Sequence, residues 1–72
     1  MLIARKKDGT VVKEGDVIES FRGEKAIYNG ASRANEFVKG GRRSGKVVVT
    51  WEKDGFRAEY YDNVFDLTVY EE

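Results

Sequence analysis

Short apolar runs separated by turn pairs set the pattern of this chain. Asp8-Gly9, Gly15-Asp16, Arg22-Gly23, Asn29-Gly30 and Asp54-Gly55 punctuate it. Pairs of this kind supply residues that tolerate the backbone angles of tight turns. Between them lie runs of Val, Ile, Phe and Tyr, the residues that suit a pleated, half-buried surface. The pattern predicts strands over Asp16 to Phe21, Glu24 to Tyr28, Lys46 to Glu52, Arg57 to Tyr61 and Leu67 to Tyr70; before them, Leu2 to Lys6 and Thr10 to Val12 straddle Asp8-Gly9 with poor alternation that fixes no register. Asp62-Asn63-Val64-Phe65 reads as one tight turn, of 3₁₀ type.

The clearest unit is the hairpin around Asp54-Gly55. A two-residue type I′ turn there would set Trp51 opposite Ala58, Glu52 opposite Arg57, Val49 opposite Tyr60 and Val48 opposite Tyr61. One face then carries Val47, Val49, Trp51, Ala58 and Tyr60. The other carries Val48, Thr50, Glu52, Arg57, Glu59 and Tyr61. The expected core is Val17, Ile27, Val47, Val49, Trp51, Ala58, Tyr60, Phe65, Leu67 and Val69. Five to six short antiparallel strands around one core predict an all-β domain spanning residues 1–72, closed as a small barrel that leaves no exposed edges.

From Asn29 to Gly45 the strand pattern stops. That stretch reads as one long basic loop, with a helical turn or two as an option over Ser32 to Val38. Connections of this length are usually functional or disordered. Charge concentrates there. Lys plus Arg equals Asp plus Glu at 13 each, so the chain is formally neutral. Residues 32–46 nevertheless carry +4, residues 47–72 carry −5 and residues 1–31 carry +1. The chain is dipolar, with a basic connection and an acidic final third.

Composition removes whole classes of chemistry. Cys and His are both absent, so there is no thiolate, no imidazole base and no disulfide framework. An enzyme would have to work with carboxylates, Lys, Tyr or Arg, and paired carboxylates need a deep cleft that 72 residues hardly enclose. The reading is therefore non-enzymatic, with no cofactor and no metal. No apolar run approaches the roughly 20 residues of a membrane span, and the amino-terminal charges follow rather than precede a short apolar stretch. A soluble cytoplasmic protein is expected.

Gly40-Gly41-Arg42-Arg43-Ser44-Gly45-Lys46 matches the spacing of a phosphate-cradling loop but fails its context. Val47 stands where Ser or Thr should hold Mg²⁺, and a Val-rich strand follows where a helix is needed. The same residues serve better as a contact surface. Tyr28, Arg33, Phe37, Lys39, Arg42, Arg43 and Lys46 combine cations with aromatics, and they form the candidate binding set for a protein or, alternatively, for nucleic acid. Tyr61 with Val48 on the outer hairpin face reads as an ordinary cross-strand pair that would also suit a partner. Phe21-Arg22-Gly23-Glu24 reads as a strand corner around a core Phe.

The order Gly15-Asp16-Val17-Ile18, then Gly45-Lys46-Val47-Val48-Val49, then an Asp-Gly hairpin and Val64-Phe65-Asp66-Leu67 resembles an SH3-like small barrel. More narrowly, Phe21-Arg22-Gly23-Glu24, together with Gly45-Lys46-Val47-Val48-Val49 and Tyr60-Tyr61 running into Val64-Phe65-Asp66-Leu67, is similar to short, mostly uncharacterised proteins of tailed bacteriophages. The resemblance implies a fold and a phage origin, with the host cytoplasm as location. It implies no activity, cofactor or ligand. The leading expectation is a phage accessory protein that docks on a host or phage protein through residues 29–46, which order on binding. The alternative is a nucleic-acid-binding accessory protein using the same residues.

Overall fold

The computed structural model describes residues 2–38 and 42–71, with side chains over 2–32 and 45–70. In it the chain is all-β: β1 (Leu2–Lys6), β2 (Val11–Val12), β3 (Val17–Glu19), β4 (Lys25–Val38), β5 (Arg42–Trp51), β6 (Arg57–Tyr61) and β7 (Leu67–Glu71), with a 3₁₀ turn over Asp62–Phe65. No helix among the described residues is long and apolar enough to cross a membrane.

The ladders form two antiparallel sheets, ordered β2-β1-β7 and β3-β4-β5-β6. The single closed barrel expected from the sequence is therefore replaced by two sheets packed around one core, with no ladder joining them. Edges survive at β2, β7, β3 and β6. The outer edge of β7 is blocked at its centre. The Asp62 carboxylate, folded back from the 3₁₀ turn, accepts the Val69 N–H at 3.0 Å. Asp62 is itself buried. Asp62→Ala is expected to cost about 1–3 kcal/mol, because a partly buried N–H loses its acceptor. Asp62→Asn, which keeps an oxygen there, should retain most of that stability. Chemical denaturation of the two variants checks the difference.

Ala4, Val12, Ile18, Ala26, Tyr28, Val47, Val49, Phe65 and Leu67 are buried, with Ala31, Trp51, Tyr60, Val64 and Val69 packed against them. Val47 and Val49 are fully enclosed, each gaining about 1.5–3 kcal/mol from burial. Three expected core residues lie outside this cluster: Val17, Ile27 and Ala58, the last only half-buried. Val17 is 51% exposed, and its neighbour Ile18 takes the inward position. Ile27 is half-buried, while Ala26 and Tyr28 on either side of it are buried. Val17-Ile18 and Ala26-Ile27-Tyr28 are unbroken apolar runs, so alternation alone does not choose which parity faces in. The β3–β4 ladder makes the choice, pairing Ile18 with Ala26.

The β5–β6 hairpin keeps both expected faces but not the expected pairs. Val49 lies opposite Ala58, Val47 opposite Tyr60, Thr50 opposite Arg57 and Lys46 opposite Tyr61. The register has moved by two residues because the turn has four residues, Glu52 to Gly55. A type I′ turn needs positive φ at both Asp54 and Gly55, and only Gly55 has it, at +71°. The Gly55 N–H donates to the Trp51 carbonyl at 2.8 Å, and the Phe56 N–H donates to the Asp54 carboxylate at 2.9 Å. A shift of two preserves side-chain parity, so Val47, Val49, Trp51 and Tyr60 still line the core.

Candidate interaction surface

The largest departure from expectation is also the candidate site. Residues 29–38 and 42–45 are not a loop. β4 continues to Val38 and β5 begins at Arg42, so the segment is an extension of the central hairpin. The ladder runs on through Ala31 opposite Val47, Ser32 opposite Lys46 and Arg33 opposite Gly45. After an irregularity it resumes with Phe37 opposite Arg43 and Val38 opposite Arg42. A two-stranded ribbon is marginal alone in water, and this one extends from a four-stranded sheet that fixes its base.

Two bulges shape the ribbon. The first falls between Tyr28 and Gly30, where Asn29 donates a side-chain hydrogen bond to the Thr50 hydroxyl at 2.7 Å. The second falls between Arg33 and Phe37, and sets Ala34 to Glu36 against Ser44 alone. Bulges of this kind increase the local twist and re-aim the strands beyond them.

The candidate binding residues separate into three groups. Arg33, Phe37, Arg42 and Arg43 occupy rungs of the ribbon, and Phe37-Arg43 and Val38-Arg42 are consecutive rungs beyond the second bulge. Lys39 lies outside the described residues. Tyr28 and Lys46 belong elsewhere. Tyr28 was expected as an exposed stacking residue but is 5% exposed and part of the core. Burial pushes its hydroxyl pKa above the ordinary tyrosine range, because the charged form would lose its hydration. Lys46 stands at the root of the ribbon and is already engaged. Its ammonium lies 3.9 Å from the Glu59 carboxylate and 5.2 Å from the centre of the Tyr61 ring. Ser32 donates a hydrogen bond to the same carboxylate at 2.7 Å. Tyr61 therefore pairs with Lys46, not Val48, on the outer face. The strand that follows Lys46 also agrees with the failed phosphate-loop context.

A second surface was not foreseen. Phe21 was expected in the core, yet it is 74% exposed. The turn that carries it is tightly held. The Ser20 N–H donates to the Glu24 carbonyl at 2.8 Å, and the Ser20 hydroxyl accepts the N–H groups of Arg22 and Glu24. This turn is thus closed by backbone bonding rather than by burial of the Phe. Phe21 borders an open groove of about 360 Å³ shared with Arg22, Trp51, Lys53, Tyr60 and Val64. The Arg22 guanidinium lies 5.5 Å from the Phe21 ring centre. Lys53 bonds Glu24 at 3.0 Å across the groove, and that hydrogen bond raises the lysine pKa. Beneath it, the Trp51 indole N–H donates to the Tyr60 hydroxyl at 2.8 Å, and Phe65 packs against both rings, tilted to Trp51 and edge-on to Tyr60. A Phe directly before an Arg-Gly turn was the only available signal for this exposure.

Among the described residues no group of three His, Cys, Asp or Glu side chains is placed to hold a metal ion. No protein-family model, curated protein or solved structure matches the chain.

Proposed function

We propose that the protein is a non-enzymatic binding module that docks on an acidic patch of a protein partner through residues 29–46, whose described part, 29–38 and 42–46, forms the ribbon. The observation that carries this reading is the ribbon itself. It sets Arg33, Arg42 and Arg43 on the extension of a sheet whose other strands are occupied with the core. Separation of binding surface from core lets the scaffold stay folded while the ribbon engages a partner. The scaffold reads as SH3-like. Support comes from the strand sequence, from the long central hairpin and from the 3₁₀ turn immediately before the last strand. With the sequence resemblance, this makes a phage accessory protein acting in the host cytoplasm.

A protein partner is preferred over nucleic acid on charge. The chain is neutral, and the basic ribbon is balanced by an acidic final third that would repel phosphates. One observation favours the second reading. The basic segment is a two-stranded ribbon, and the major groove of a duplex admits such a ribbon.

Affinity capture from a host lysate, with and without nuclease, tests the proposal. A defined protein retained after nuclease treatment supports docking on a protein. Loss of all capture after nuclease overturns it and leaves the nucleic-acid reading. That reading in turn requires binding that falls steeply with salt, with a slope set by the phosphates contacted.

A further inference from the structure

We propose that β6 is a self-complementary edge through which two copies of the chain pair antiparallel about a twofold axis. The hydrogen-bond phase of the hairpin exposes this edge. The Trp51 N–H donates to the Phe56 carbonyl at 2.9 Å, which marks 51/56 as a hydrogen-bonded rung. In an antiparallel ladder such rungs alternate, so 49/58 and 47/60 are the next ones. Ala58 and Tyr60 therefore use their main-chain groups on β5. Arg57 and Glu59 aim theirs away from the sheet. Among the described residues β6 pairs only with β5, and none of the main-chain bonds outside the ladders uses Arg57 or Glu59. The contrast with β7 is direct, since that edge is blocked by Asp62.

The order Arg57-Ala58-Glu59 then selects one register. A twofold axis at Ala58 sets Arg57 opposite Glu59 of the second copy and Glu59 opposite its Arg57. Both rungs are hydrogen-bonded, and each exchanges two main-chain bonds. Both bring opposite charges together. An axis at Arg57 would oppose two arginines, and one at Glu59 would oppose two glutamates. The small Ala58 lies on the axis itself, in a non-hydrogen-bonded pair where side chains come closest. The next rung sets Phe56, 62% exposed in the single chain, opposite Tyr60 and so beside the Trp51–Tyr60–Phe65 cluster of the other copy. Edges protected against pairing carry like charges that repel a second copy. This edge carries one of each sign. The Glu59 carboxylate already meets Lys46 and Ser32 of its own chain, and a second copy adds Arg57 as a further partner.

The result is one continuous eight-stranded sheet built from two four-stranded ones, with the two basic ribbons directed oppositely along it. The contact is small, below the ~1,200 Å² of standard stable interfaces, so the pair is transient and concentration-dependent.

Sedimentation and amide hydrogen exchange over a concentration series up to ~1 mM, where even millimolar association is visible, test this. The expected result is a monomer–dimer equilibrium in which the Arg57 and Glu59 amides gain protection as concentration rises. That readout needs no variant. Arg57→Glu is expected to weaken self-association at least tenfold, and Glu59→Arg likewise. An equimolar mixture of these two variants should form a heterodimer, and the R57E/E59R double variant should recover the homodimer. A wild-type chain that stays monomeric throughout overturns the proposal. So does a dimer that leaves both amides unprotected, or one indifferent to Arg57→Glu in a chain whose circular dichroism is unchanged.

Discussion

Gly45→Ala is expected to destabilise the fold by at least about 1–3 kcal/mol, the range for forcing atoms into a packed site. For a domain of this size each kcal/mol lowers the melting temperature by about 4–8 °C. Gly45 lies in β5 where that strand passes under Val69 of β7, at the junction of the two sheets. A β-carbon there would collide with the Val69 Cβ, and would come within 2.7 Å of Cγ1 and 2.9 Å of Cγ2. The opposing group cannot swing away. Val69 is β-branched and stiff about χ1, and its Cβ is fixed by the backbone whatever the rotamer. Relief needs the sheets to part, which would also strain the nearby bond from the Val69 N–H to Asp62.

The same geometry predicts an unusual rescue pattern. Val69→Ala removes the two methyl groups but leaves the Cβ, so it should do little for Gly45→Ala. Val69→Gly removes the colliding atom and should recover part of the loss, despite its own cost in a strand. A thermal-melt double-mutant cycle measures the coupling, which contacting residues show at about 0.5–3 kcal/mol. A Gly45→Ala chain that melts with the wild type would mean that the two sheets do not approach so closely here.

The β5–β6 faces were legible in the sequence because Val47, Val49, Trp51 and Tyr60 repeat at a period of two and only one parity is apolar enough to bury. The length of the turn between those strands was not. One glycine with positive φ satisfies a two-residue and a four-residue turn alike, and Asp54 serves either as a turn residue or, as here, as a cap on Phe56. Face assignment survived because the two alternatives differ by an even number of residues. In β3 and β4 adjacent apolar residues offered both parities, so Val17 was assigned where Ile18 belongs. Tyr28 was taken for a surface aromatic by its neighbours in sequence, and the ladder puts it in the core.

The ribbon illustrates a different limit. Ser32, Arg33, Asn35, Glu36, Gly40, Gly41 and Ser44 give no apolar alternation and little β-propensity. Its strands exist because the β4–β5 ladder, secured by Val47 and Val49 in the core, propagates beyond the core. That is tertiary context, which local pattern does not carry. The basic character of Arg33, Arg42 and Arg43 was plain from composition. Their placement on rungs opposite Gly45, Val38 and Phe37 was not. Lys46 looked like one more cation of the set until Glu59, thirteen residues on, was found beside it.

Reversing Arg42 and Arg43 together, as R42E/R43E, takes residues 32–46 from +4 to zero. Both residues occupy rungs beyond the second bulge, past Gly45, where β5 packs against Val69. Stability should therefore move by less than about 0.5 kcal/mol, as for surface changes remote from packed or bonded groups. Partner capture should be lost. A double reversal on the body, K6E/K13E, changes the net charge by the same amount at exposed positions away from the ribbon. It should leave capture largely intact, which separates a local contact from a general charge effect. Lys46→Glu is the informative contrast. It would set like charges beside Glu59 and disturb the root of the ribbon, so it should lower stability as well as binding. If the folded R42E/R43E chain still captures its partner, the ribbon is not the docking element. The exposed groove at Phe21 and Arg22 would then be the surface to change next.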